Sequence, residues 1–209
     1  MNTRFDSTSR RGFLKGMAIG AGGYAFGSLL THPQEAMGQS VQGYLEKIPM
    51  EARWDRASNG LVRAQVILYK TLYDKEGREK FVEDRKQSCA VAAAGNKRYA
   101  DRFGLTGNDA KSAAKIIPAI QTIYYGPKQQ YKIEEATEDK ARVKKLECAF
   151  WNVVQAQKIT DDLCSAHCQY YWEGFVKALN PKMTSTLVKA RPRGDSVCEW
   201  FIEIKTLQG

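Results

Sequence analysis

Of the five cysteines in this chain, four fall near its C-terminal end, at Cys148, Cys164, Cys168 and Cys198. On a helix, Cys164, His167, Cys168 and Tyr171 stand at i, i+3, i+4 and i+7, so two sulfurs and an imidazole share one stripe. A thiolate with a base beside it is a nucleophile. Several thiolates together hold a metal. The nucleophilic reading takes Cys148, His167, Cys168 and Cys198 as catalytic, with Cys168 or Cys148 attacking and His167 as the base. The metal reading takes Cys148, Cys164, Cys168 and Cys198 as ligands, with zinc the metal they would hold; no cofactor is certain from sequence. Two plainer readings stay open. Buried cysteines serve as small core hydrophobes, and an oxidising compartment permits a bridge such as Cys148–Cys198.

The elements that must bring these residues together follow from periodicity. Apolar residues recur at helical spacing from Met50 to Tyr73, and Asp74 to Gly77 breaks the pattern. A second helix is expected over Arg78–Phe103, with a small-residue run at Ala90–Ala94 that permits close helix packing and an interruption available at Gly95-Asn96. A third is expected from Asp109 to Tyr125, with Pro118 expected to kink or interrupt it. Tyr131 and Ile133, then Leu146, Cys148 and Phe150, alternate as two antiparallel strands, with Cys148 facing the core in phase with Leu146. A short helix at 151–157 follows, then a longer one from Thr160-Asp161-Asp162 to Leu179, stopped by Asn180-Pro181. Strands at 182–190 and 197–205 close the chain; Cys198, Trp200, Ile202 and Ile204 share the inward face of the second. The fold class is α+β, with N-terminal helices followed by an antiparallel sheet and a packed helix.

The Arg191 to Asp195 connection offers substrate-binding groups. Arg191 and Arg193 would clamp a carboxylate in bidentate fashion, and Asp195 either orients His167 or forms the turn before the last strand. Tyr170, Tyr171, Trp172 and Phe175 would line a ligand pocket or fill the core.

At the other end of the chain, Ser9-Arg10-Arg11-Gly12-Phe13-Leu14-Lys15, a glycine-rich apolar stretch over Gly16–Leu30, and the small residues Ala36 and Gly38 read as a twin-arginine export leader over 1–38. The expected mature domain spans 39–209 and works in the periplasm or otherwise outside the cytoplasm, anchored in the membrane if the leader stays attached. Its expected partners are a small-molecule substrate or ligand, the twin-arginine export machinery and a partner subunit of an exported enzyme. The chain carries a net charge of +9, with acids interleaved among its lysines and arginines, a pattern that excludes nucleic acid as the natural partner.

The runs Leu146-Glu147-Cys148-Ala149-Phe150-Trp151, Leu163-Cys164-Ser165-Ala166-His167-Cys168, Leu179-Asn180-Pro181 and Gly194-Asp195-Ser196-Val197-Cys198-Glu199-Trp200 resemble the L-2-amino-thiazoline-4-carboxylic acid hydrolase family. That resemblance implies hydrolysis of a thiazoline ring to a carbamoyl-cysteine. The family in turn resembles the 4-vinyl reductase domain, a small-ligand sensor fold in which cysteines hold a zinc. Two functions follow as expectations. One is an exported hydrolase opening a C–N or C–S bond of a small heterocycle at a cysteine-centred site. The other is a non-catalytic exported module that binds a small molecule or metal, as an accessory to an exported redox enzyme.

Overall fold

The computed structural model describes residues 43–205, and the leader read over 1–38 lies outside them. The chain divides into two units, Met1–Ile48 and Pro49–Gly209. In the described part of the first, residues 43–46 make a single helical turn. The second carries the fold: helix α1 (Met50–Arg102), α2 (Ala110–Tyr125), strands β1 (Gln130–Ala136) and β2 (Lys140–Glu147), α3 (Ala149–Ala156), α4 (Leu163–Leu179), β3 (Met183–Lys189) and β4 (Cys198–Ile204). It is an α+β architecture with one antiparallel sheet in the order β1-β2-β4-β3. Among the described residues no helix is long and apolar enough to cross a membrane.

Helix α1 is two arms. Gly77, at φ 78°, ψ 170°, leaves helical geometry where the sequence places the break, and only glycine adopts that conformation without strain. The second arm turns back alongside the first, and Phe81 packs edge-on against Tyr69 and Tyr73, with ring centroids 5.8 and 5.6 Å away. Gly95 and Asn96 do not interrupt the second arm, which runs on to Arg102. Pro118 likewise sits inside an unbroken α2, where the Thr122 hydroxyl donates to the Pro118 carbonyl at 2.8 Å.

Helices α2 and α4 lie against the sheet, and α1 packs along α4. Trp172 of α4 stacks on Trp200 of β4 at 4.5 Å, and both rings are fully buried. On the other side of α4, Gly174 allows the close approach: a Cβ there would meet Ala93 Cβ and Ala90 Cα of α1 at 3.3 Å. The run Ala90–Ala94 thus meets α4 through small residues. Gln169 ties α4 to the edge strand β3, donating to the Ser185 carbonyl at 2.9 Å and accepting the Leu187 N–H at 2.7 Å.

One strand differs from expectation. β2 ends at Glu147, and its inward residues are Ala141, Val143 and Lys145, while Leu146 is exposed. Cys148 is buried not as a strand residue but as the N-cap of α3, its sulfur accepting the Trp151 N–H at 3.5 Å. Phe150 belongs to that helix. The phase follows from side-chain alternation: residues in step with Val143 point inward, and Lys145 is one of them.

Candidate functional site

The sequence stripe on α4 splits between two places. Successive helical residues are rotated by about 100°, so Cys164 and Cys168 turn towards the sheet while His167 and Tyr171 turn towards the arms of α1.

On the sheet side, Cys148, Cys164, Cys168 and Cys198 line one void of about 10 Å³ together with Lys145, Arg191 and Leu187. That space holds about one water molecule. All five cysteines of the chain are free and buried, so Cys148 and Cys198 share the void without a bridge. Burial pushes the Cys164 and Cys168 thiols up, and Lys145 opposes the rise at Cys168. Cys198 is also raised by burial, against the Arg191 N–H that it accepts at 3.5 Å. Lys145 is 2% exposed. Burial works against its ammonium, but Cys148, Tyr131 and Cys168 together outweigh that and hold its proton. Its Nζ also lies over the Tyr131 and Tyr125 rings, at 5.1 and 5.7 Å, an arrangement that favours a cation.

These sulfurs do not fit zinc as placed. Among the described residues no group of three or more His, Cys, Asp or Glu side chains could hold a metal ion, and a buried ammonium in the same void repels a dication.

On the other side lies a cavity of about 930 Å³ between the arms of α1, the end of α2 and α4, at the upper end of the usual range for small-ligand sites. Its floor is His167. Tyr69 Oη lies 3.2 Å from His167 Nδ1, and Tyr125 Oη lies 2.9 Å from Nε2. Gln65 donates to Tyr69 Oη at 2.7 Å. The Tyr69 hydroxyl is then free to donate to Nδ1, which leaves the imidazole proton on Nε2, donated to Tyr125. Cys89 Sγ is 3.6 Å from Nδ1, and Phe150 stacks on the imidazole at 5.6 Å. Burial, reinforced by Arg85 and Lys145, pulls His167 down to about 3, so the ring is neutral. Burial pushes Cys89 up to about 11, against the pull of Arg85. Arg85 lies over the Tyr69 ring at 4.2 Å. Its Nε and the Gln65 Oε1 are buried, with no hydrogen-bond partner among the described residues.

The remaining sequence candidates are spread out. Arg191 lines the cysteine void and donates a guanidinium N–H to the Leu146 carbonyl. Arg193 lines a separate cleft with Tyr73, Phe81 and Tyr170. Asp195 accepts the Ala190 N–H at 2.8 Å, which makes it a turn residue. The hydrogen bonds of the His167 ring go to tyrosines and Cys89, not to Cys148, Cys168, Cys198 or Asp195. Sequence reasoning missed Tyr69, Arg85, Cys89 and Tyr125. The signal available was Arg85, Cys89, Ala92, Asn96 and Tyr99, a face of one helix that mixes polar groups with small residues.

No family model and no curated protein matches the chain. Among solved structures it is similar to the phenol-responsive sensory domain of the transcription activator PoxR, crystallised with phenol, at TM-score 0.54 and 14% identity, over 68% of this chain and 74% of that one. It is also similar to a trafficking protein particle complex subunit 3 from Naegleria fowleri, covalently bound to palmitic acid, at TM-score 0.51 and 8% identity, over 69% of this chain and 95% of that one. At such identities the likeness is one of fold.

Proposed function

We propose that this chain is a ligand-binding domain whose His167 cavity takes a small organic molecule that presents a hydroxyl group to the floor. The observation that carries this reading is a roomy cavity that ends on a neutral imidazole held between two tyrosine hydroxyls, Tyr69 and Tyr125. The neutral imidazole and the Tyr69 and Tyr125 hydroxyls supply partners without a charge to desolvate. Solved structures of this fold with phenol and with palmitic acid support the use of the scaffold for small organic molecules. The hydrolase implied by the family resemblance would work at the cysteine cluster, where a void of about 10 Å³ gives a ring substrate no room.

Calorimetric titration with phenol tests the reading. Saturable one-site binding is expected, weakened about tenfold or more in Arg85→Met or Tyr69→Phe. Heat that is unaltered by either substitution would place phenol elsewhere. The leader adds that the domain is exported already folded; a reporter fused to it should stay in the cytoplasm once Arg10 and Arg11 become lysines.

A further inference from the structure

The cavity is long as well as roomy. Its wall on the second arm of α1 runs from Arg85 through Cys89, Ala92 and Gly95 to Arg98 and Arg102. Those 17 residue steps span roughly 25 Å at about 1.5 Å per residue. Leu61, Ala64 and Leu68 of the first arm form an apolar stretch of the wall, with Leu61 and Leu68 about half exposed although they are large and apolar.

The end away from His167 is cationic. Arg98 and Arg102 stand at i, i+4, where like charges repel. Among the described residues no acidic side chain lines the cavity. Among the described residues neither arginine has a carboxylate partner, and Lys97 occupies the nearby Asp101 at 2.7 Å. The Arg98 guanidinium lies back over the helix, 3.9 Å from where a Gly95 Cβ would stand. Two exposed guanidinium groups at one mouth of an apolar channel answer an anion, and their planar forks match a carboxylate.

Resting on the hydroxyl-binding reading of the floor, we infer that Arg98 and Arg102 form a second subsite for a carboxylate, so that the ligand is an elongated apolar acid with a hydroxyl at its far end. The head group stays near water at Arg98 and Arg102, the chain lies along Leu61, Ala64, Leu68 and Ala92, and the hydroxyl reaches Tyr69 and Tyr125.

The test compares 12-hydroxydodecanoate, 1,12-dodecanediol and phenol by calorimetry on the whole chain and on an Arg98→Gln/Arg102→Gln double variant. Both arginines are exposed, and circular dichroism checks that the variant is folded. The acid is expected to bind about tenfold or more tighter than the diol, to lose that preference in the double variant, and to weaken with added salt. Equal affinity for acid and diol, or a preference that survives the double substitution, would overturn the subsite while leaving the floor intact. Binding of phenol without either long molecule would overturn the elongated ligand alone. If none of the three binds, the floor reading fails together with this one.

Discussion

His167 and Cys168 are neighbours in sequence, yet they serve two regions with opposite physics. The cavity on the His167 side is spacious and lined by tyrosines. The cluster on the Cys168 side is closed, holds four thiols around a buried lysine, and has room for about one water molecule. Unpaired polar groups cost stability, and Arg85 Nε and Gln65 Oε1 are two such groups beside the cavity, both buried. The cluster also holds such groups, Ser165 Oγ and Arg191 Nε, but offers no space in which a ligand could reach them.

Acid separates the two regions most strongly. Folded His167 takes up a proton only near pH 3, whereas an ordinary imidazole does so near 6.5. Below 6.5 the unfolded chain binds a proton that the folded chain refuses. Stability therefore falls with falling pH, by about 1.4 kcal/mol per unit from this residue. The loss continues until pH approaches 3. Denaturant midpoints across that range should show the slope in the native sequence and a flatter one in His167→Gln. Equal slopes would mean that the imidazole is not held neutral.

Alkali should act on the cluster, and also on Cys89, Tyr69 and Tyr125 of the cavity, whose acidic groups burial raises as well. Cys164 and Cys168 have thiols raised above the ordinary 9.0. The unfolded chain gives up those protons first, so stability is complete below pH 9 and declines as pH rises beyond it. Cys168→Ala should lessen that decline while leaving phenol affinity unchanged. A change in phenol affinity would join the two regions that the geometry separates. Zinc content sharpens the same contrast: less than one zinc per chain is expected, and a full equivalent lost in Cys168→Ser would make the cluster a metal centre.

Helix α4 is the wall between the regions, and crowding it should disturb both. Gly174→Leu places a branched side chain against Ala90 and Ala93, where a single Cβ already comes within 3.3 Å. Overpacking of this kind costs about 1–3 kcal/mol. A lower denaturant midpoint together with weaker phenol binding is the expected result; an unchanged midpoint would mean that α1 and α4 can separate freely.

Much of the fold was legible because it rests on local rules. Gly77 broke the first helix, Asp162 capped α4 through the Ser165 N–H at 2.8 Å, and Asn180 ended it. The inward placing of Cys164, Cys168 and Cys198 was also readable from phase, but that of Cys148 was not: the strand phase it shares with Leu146 is the exposed one, and Cys148 is buried as a helix cap. What was not legible needs tertiary information. A stripe at i, i+3, i+4 and i+7 is wide enough to face two neighbours, and periodicity does not say which neighbour each residue meets. Lys145 escaped because a lysine is expected at the surface, while strand alternation carried it inward. Glu199 repeats the lesson: it lies on the outer face of β4 yet is 1% exposed, covered by Arg142, Lys144 and Lys189.

Thiol labelling gives the smallest signal and the most direct reading of which region admits solutes. Cys89 is 3% exposed, much like the other four cysteines, so surface area alone predicts no difference among them. It differs in what lies beside it, a cavity of about 930 Å³ rather than a void of about 10 Å³. Iodoacetamide should therefore modify one thiol per native chain, a reaction absent from Cys89→Ser, while the cluster reacts only at the rate of unfolding. Because Cys89 holds its proton to about pH 11, labelling should be slow at neutral pH and accelerate about tenfold per unit below that value. Bound phenol or 12-hydroxydodecanoate should slow it further by filling the cavity. Simultaneous modification of all five thiols would mean that the cluster opens as readily as the cavity, and the contrast between the two sides of α4 would not survive.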